Sequence, residues 1–135
     1  MTINWVRVLL GGFFIEVVLA IVLVGGFAAA GVDIAGGVST ASAVIIGVGC
    51  FAAAFLIVLW LGRGIESHLV LHGFLMGLVA TSIYVGLVAG SGQMSTALAA
   101  YGLATFVTLN AVRVVGAVLG GVACERRRVA RPAAV

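Results

Sequence analysis

Four stretches of this chain run for roughly twenty residues or more with hardly a charged side chain, the length at which an α-helix crosses a bilayer. They cover about residues 8–31, 42–62, 69–90 and 97–123. Charged residues are 8% of the chain, hydrophobic residues are 64%, and mean hydropathy is +1.35. An ordinary soluble domain carries about 25% charge. A soluble fold of 135 residues could not bury this much apolar surface, because small domains keep much of their surface in water. Lipid is the solvent that fits. The predicted fold is all-α: one four-helix up-down transmembrane bundle over residues 1–135, with residues 124–135 as a basic cytoplasmic tail. Barrel strands would alternate apolar and polar residues, and these runs do not.

The links are short: residues 32–37 with their Ser/Thr neighbours, then 63–67, then 91–95. Links of this length make consecutive helices antiparallel neighbours. Orientation follows from arginine. All seven basic residues are Arg, and four of them, Arg126, Arg127, Arg128 and Arg131, lie in the last ten positions. Arg7, Arg63 and this cluster share one face, while the opposite links carry Asp33 and no basic residue. Positive residues stay inside, so both termini are predicted to be cytoplasmic. Trp5 and Trp60 fall at that interface and Tyr101 at the other, where amphipathic rings prefer to sit. The first span is longer than a signal-peptide core of about 7–15 residues and contains Glu16. Despite the small residues Ala28, Ala29 and Ala30, it is expected to stay uncleaved. The bias to Gly, Ala, Val and Arg suggests a bacterial genome, hence a multi-pass protein of the bacterial inner (plasma) membrane.

Two charges fall inside the spans, Glu16 in the first and Arg113 in the fourth. Intramembrane charges are costly and face the protein interior or a wet cavity. At the helical rise, Glu16 lies about 12 Å and Arg113 about 15 Å from the same side. Arg113 shares a stripe with Gly102, Leu109, Gly116 and Gly120, with Asn110 beside it, and Glu16 shares one with Gly12 and Ala20. Small residues let backbones approach, so both charges point from contact faces. They are expected to pair, with Asn110 as an auxiliary hydrogen-bonding group. The alternative role for Glu16 is a proton or cation site in a transporter.

Other signals are bland. His68 and His72 have the i, i+4 spacing that places two ligands on one helical face. Glu66 precedes them, but no third strong ligand is evident, so interfacial hydrogen bonding is the expected role. Gly73/Gly77, Gly86/Gly90 and Gly116/Gly120 are GxxxG pairs that permit close helix crossing within the chain or between copies. Tyr101, Thr105 and Thr108 are expected on the side of the fourth helix away from Arg113. Cys50 and Cys124 lie at different depths and are expected to behave as small apolar residues rather than a disulfide. No nucleophile arrangement or carboxylate pair suggests an enzyme, no glycine-rich loop has the setting of a phosphate cradle, and no cofactor is expected. The basic tail lacks the interleaved aromatics of a nucleic-acid site.

Residues 5–12 (WVRVLLGG), 71–80 (LHGFLMGLVA) and 116–121 (GAVLGG) together resemble uncharacterised bacterial four-span membrane proteins. That resemblance implies the four-helix fold and assigns no activity. Leu10-Gly11-Gly12 followed by Glu16-Val17 is also similar to the first helix of small multidrug resistance transporters, and implies Glu16 as a proton and substrate site. The third span departs from that family in lacking its Trp-containing, glycine-rich motif, and Arg113 competes for the carboxylate. The leading expectation is a non-catalytic structural, accessory or regulatory membrane subunit. Its expected partners are the bilayer and either further copies or a larger membrane complex. A proton-coupled small-molecule or ion transporter using Glu16 comes second, and a metal-binding protein using His68 and His72 third.

Overall fold

The computed structural model describes residues 3–30 and 38–130. Among these residues the chain forms five α-helices and no strand: α1 Trp5–Ala30, α2 Thr40–Leu61, α3 Leu69–Gly90, α4 Met94–Tyr101 and α5 Leu103–Val129. The four long helices form a bundle and are each apolar and long enough to span a membrane. The 22 residues of α2 or α3 reach about 33 Å, against a hydrocarbon core of about 30 Å.

The partition of side chains is that of a protein dissolved in lipid. Val6, Ile21 and Leu87 are 67% exposed, whereas Arg113 is 4% and His72 1% exposed. Extended apolar surface of this kind is foreign to a water-soluble monomer. Helices alone solve the other half of the problem, since each pairs its own backbone groups where no water can. The chain is a multi-pass membrane protein.

Local chemistry sets the ends. Ser39 caps α2 by accepting the Ser42 N–H at 3.1 Å, as N-cap serines do. After α2 the chain tightens into a 3-10 turn, Gly62–Gly64. Gly64 leaves room for the Arg7 guanidinium, which donates to the Leu61 carbonyl at 3.0 Å. Arg63, Arg127 and Arg128 line a depression at this same end. Asp33, the rest of the 32–37 link and Arg131 lie outside the described residues, as do the side chains of Ala28–Ala30.

Two borders differ from the sequence expectation. The fourth apolar stretch is broken at Gly102, whose φ of 71° and ψ of 150° suit glycine and strain any other residue. Residues 94–101 therefore form the separate helix α4. At the other end α5 continues to Val129 rather than stopping near 123. No breaker intervenes there, and arginines in a last helical turn complement the helix dipole.

The helices alternate in direction, but their order around the bundle is α1, α2, α5, α3. Extensive packing joins α5 to both α2 and α3, and α1 to both α3 and α2. The α2–α3 link crosses a diagonal, so these two consecutive helices make little direct contact, contrary to the nearest-neighbour expectation. The reason lies in where the small residues fall. A Cβ on Gly116 would sit 2.6 Å from the Phe51 carbonyl oxygen of α2, and one on Gly120 2.7 Å from that of Phe55. Gly73 and Gly77 meet Ala117 and Val114 of α5, and Gly12 meets Val79 on α3. Tight backbone approach thus favours α5–α2 and α3–α5 seams. Gly86 and Gly90 meet nothing within 4 Å.

Gly116→Val is expected to lower stability by about 1–3 kcal/mol, the usual cost of overpacking, because a backbone carbonyl cannot swing aside. Gly86→Ala, on an open helical face, is expected to be neutral or stabilising by up to about 1 kcal/mol. Thermal denaturation of the two variants in detergent micelles separates these outcomes.

Candidate functional site

The helices that carry Glu16 and Arg113 stand on the other diagonal, α1 against α5, with little backbone contact between them. Both side chains reach into the space between. Arg113 Nη1 lies 2.5 Å from Glu16 Oε1, with side chains 5% and 12% exposed. The separation is that of a contact ion pair, yet the N–H is not directed along it and Oε1 satisfies no hydrogen-bond geometry. The contact is coulombic attraction at short range. Asn110 is one turn away on α5. Its amide donates to the Phe106 carbonyl at 2.8 Å, and its Oδ1 accepts a long contact of 3.5 Å from Arg113 Nη1.

A third side chain completes the centre. The Tyr84 ring of α3 lies against the guanidinium, with its centroid 5.0 Å from Cζ. It tilts against Phe106 at a centroid distance of 5.8 Å. A desolvated cation over a ring face gains about 2 kcal/mol. Tyr84 thus supplies attraction on a side of Arg113 that the carboxylate does not reach. Cys50, 1% exposed, adds to the buried surroundings.

A cavity of about 550 Å³ runs from Ser91, Gln93 and Tyr101, where α3 gives way to α4, to the Glu16–Arg113 pair. Its walls are aliphatic, from Leu19 and Leu23 of α1, Ile46 of α2 and Leu109 of α5. Tyr101 therefore faces the route to Arg113, not away from it. The break at Gly102 detaches α4 from the helical projection that placed Tyr101 outside. Thr105 and Thr108 do lie off this route, in a shallow groove between α2 and α5.

No protein-family model, curated protein or solved structure matches this chain.

His68 and His72 are not brought together as a pair of ligands. His68 precedes α3 in a left-handed conformation, φ 53°, so the one-face projection fails, and its side chain is exposed. His72 is buried with both nitrogens engaged. Nδ1 is 2.9 Å from the His68 carbonyl, which takes it as donor, and Nε2 accepts the Asn4 backbone N–H at 3.0 Å. His72 is thereby a cap for the start of α1. Among the described residues no three His, Cys, Asp or Glu side chains converge on a common point. Both cysteines are free, and Cys124 Sγ donates weakly to the Leu59 carbonyl at 3.5 Å.

The sequence reading missed Tyr84 and the cavity. A tyrosine in the middle of the third span was the available signal for the first. The second needed the break at Gly102.

Arg113→Leu leaves a carboxylate unpaired among apolar side chains and is expected to cost about 3–5 kcal/mol. Glu16→Leu combined with Arg113→Leu is expected to recover most of that loss, since a well-packed apolar replacement of both partners is often neutral. Stability in detergent for the single and double variants measures the coupling. His72→Ala is expected to destabilise by about 1–3 kcal/mol by orphaning the Asn4 amide, with faster hydrogen exchange confined to the first turn of α1.

Proposed function

We propose that this chain is a non-catalytic membrane subunit of structural, accessory or regulatory type, whose helix arrangement is fixed by the Glu16–Arg113 pair. The observation that carries this reading is the short contact between the two charges in the middle of the bundle. A carboxylate held against an arginine is tied to a partner on the opposite helix rather than standing free in the cavity. Buried polar pairs of this sort serve best as registry devices, selecting which helices meet.

The proposed setting is the inner membrane of a bacterium, with both termini in the cytoplasm. Arg7, Arg63 and Arg126–Arg128 collect at one end of the bundle with Trp5 and Trp60, the distribution that the positive-inside rule and the aromatic belt favour.

One observation favours a second reading, a transporter using Glu16: the cavity ends at its carboxylate. The two readings separate on Glu16→Gln. A registry role requires lowered stability and an altered helix arrangement. A transport role requires intact assembly with loss of pH-dependent uptake of a cationic dye into vesicles.

Orientation is tested by fusing a fluorescent protein or alkaline phosphatase to the C-terminus. Fluorescence without phosphatase activity is the expected outcome. Phosphatase activity without fluorescence would reverse the topology. A structural or accessory role further requires a stoichiometric partner, or a defined homo-oligomer, on purification in mild detergent.

A further inference from the structure

The arginines at one end of the bundle do more than mark a side of the membrane. Arg63 stands in the 3-10 turn after α2, and Arg127 and Arg128 stand in the last turn of α5. Elements far apart in sequence thus bring three guanidinium groups to one depression of about 580 Å³. All three residues are exposed and within reach of a ligand. Orientation by positive charge needs arginines on the right side of the membrane, but it does not need them to converge. Their neighbour Arg126 stands outside the depression.

Charge, depth and shape select the ligand. Among the described residues the lining holds one carboxylate, Glu66, against the three arginines, a net charge of +2. Neither Glu66 nor any of the three is in an ion pair with a described residue. A guanidinium donates two parallel N–H bonds to a phosphate, which makes arginine the usual partner of that group. The depth is that of lipid headgroups. Trp60, at the end of α2, is 60% exposed, and such rings settle at the headgroup level. Arg63 lies about one helical turn further out. The depression has the volume of a small-molecule site, ~300–1,000 Å³, so it holds more than a bare phosphate, and Leu59, Ile65 and Leu69 give it an apolar floor. A zwitterionic lipid offers the same phosphate and sets its ammonium before Glu66, but it leaves the net +2 in place. A lipid with net negative charge reduces it.

We propose that this depression binds one anionic phospholipid, with its phosphodiester held by Arg63, Arg127 and Arg128 and its glycerol backbone over the apolar floor. Basic pockets between spans at the membrane surface take anionic headgroups in this way. The site stands whether Glu16 serves registry or transport, and for either orientation of the termini.

The test uses the full chain in dodecyl maltoside, titrated with dioctanoyl phosphatidylglycerol, dioctanoyl phosphatidylethanolamine and inorganic phosphate, with binding read by thermophoresis. The phosphatidylglycerol is expected to bind saturably and about tenfold or more tighter than either other probe, since each nearby arginine adds to the attraction for net negative charge. Equal affinity for the two lipids overturns the proposal, because headgroup charge is then not read. Phosphate that binds as tightly as the lipid also overturns it, in favour of a plain anion site, and so does the absence of saturation. Arg63→Gln, Arg127→Gln and Arg126→Gln each remove one charge from the same end. All three positions are exposed, so the melting temperature should hold. The first two are expected to weaken phosphatidylglycerol binding about fivefold or more, the effect of one arginine near a lipid surface. Arg126→Gln is expected to weaken it less than about twofold, as a residue outside the site. Losses in Arg63→Gln and Arg127→Gln no greater than in Arg126→Gln overturn the proposal.

Discussion

Glu16 and Arg113 belong to helices at opposite corners of the bundle, so their contact runs through its middle rather than along a seam. Everything around it follows from that placement. In lipid there is no hydrophobic force to press helices together, and association relies on close packing and on polar groups that have nowhere else to go. An unpaired charge at this depth is costly. Each member of the pair therefore restricts the bundle to arrangements in which the other is within reach. The glycine seams then select among those arrangements: α5 lies backbone to backbone against α2 at Gly116 and Gly120, and against α3 at Gly73 and Gly77.

The pair is also what keeps the centre from being a simple apolar core. Arg113 has more hydrogen-bonding capacity than Glu16 and Asn110 can absorb, and Tyr84 answers part of the surplus with its ring face. The remaining Nε–H is buried without a partner among the described residues, and the cavity beside the pair is lined at its far end by Tyr101 of α4, the short helix created by the turn at Gly102. One glycine in a special backbone conformation thus connects the fold to the shape of its interior. At the other end, His72 ties the start of α1 to α3, and Arg7 ties α1 to the end of α2. The end bearing the arginines is pinned by side chains, while the cavity that reaches the pair opens toward the opposite end.

Much of this was legible in the sequence. The four apolar runs gave the four long helices, since lipid permits few other solutions, and the depths and faces of Glu16 and Arg113 matched. The faces of Gly12, Gly73, Gly77, Gly116 and Gly120 were readable for the same reason: a continuous helix projects reliably. Projection failed where continuity failed. Gly102 looked like one more small residue on the Arg113 stripe, so Tyr101 was placed on the wrong side. His68 looked like a first-turn residue of α3 but precedes it in a left-handed conformation, so its spacing to His72 did not signify a shared face. The crossed order of the helices was invisible because link length limits which helices are neighbours without choosing among them. Seam glycines make that choice, and their partners lie far away in sequence.

One contact lies at the centre of this lipid-solvated bundle, and a distance measurement reaches it without perturbing any residue. Solid-state NMR on the chain in bilayers, with carbon-13 at the Glu16 carboxyl and nitrogen-15 on the Arg113 guanidinium, reads their dipolar coupling directly. A coupling that corresponds to a separation under about 4 Å, the reach of an ion pair, is the expected result. No measurable coupling in well-folded, bilayer-embedded protein would contradict it, and with it the reason given for how these helices are arranged.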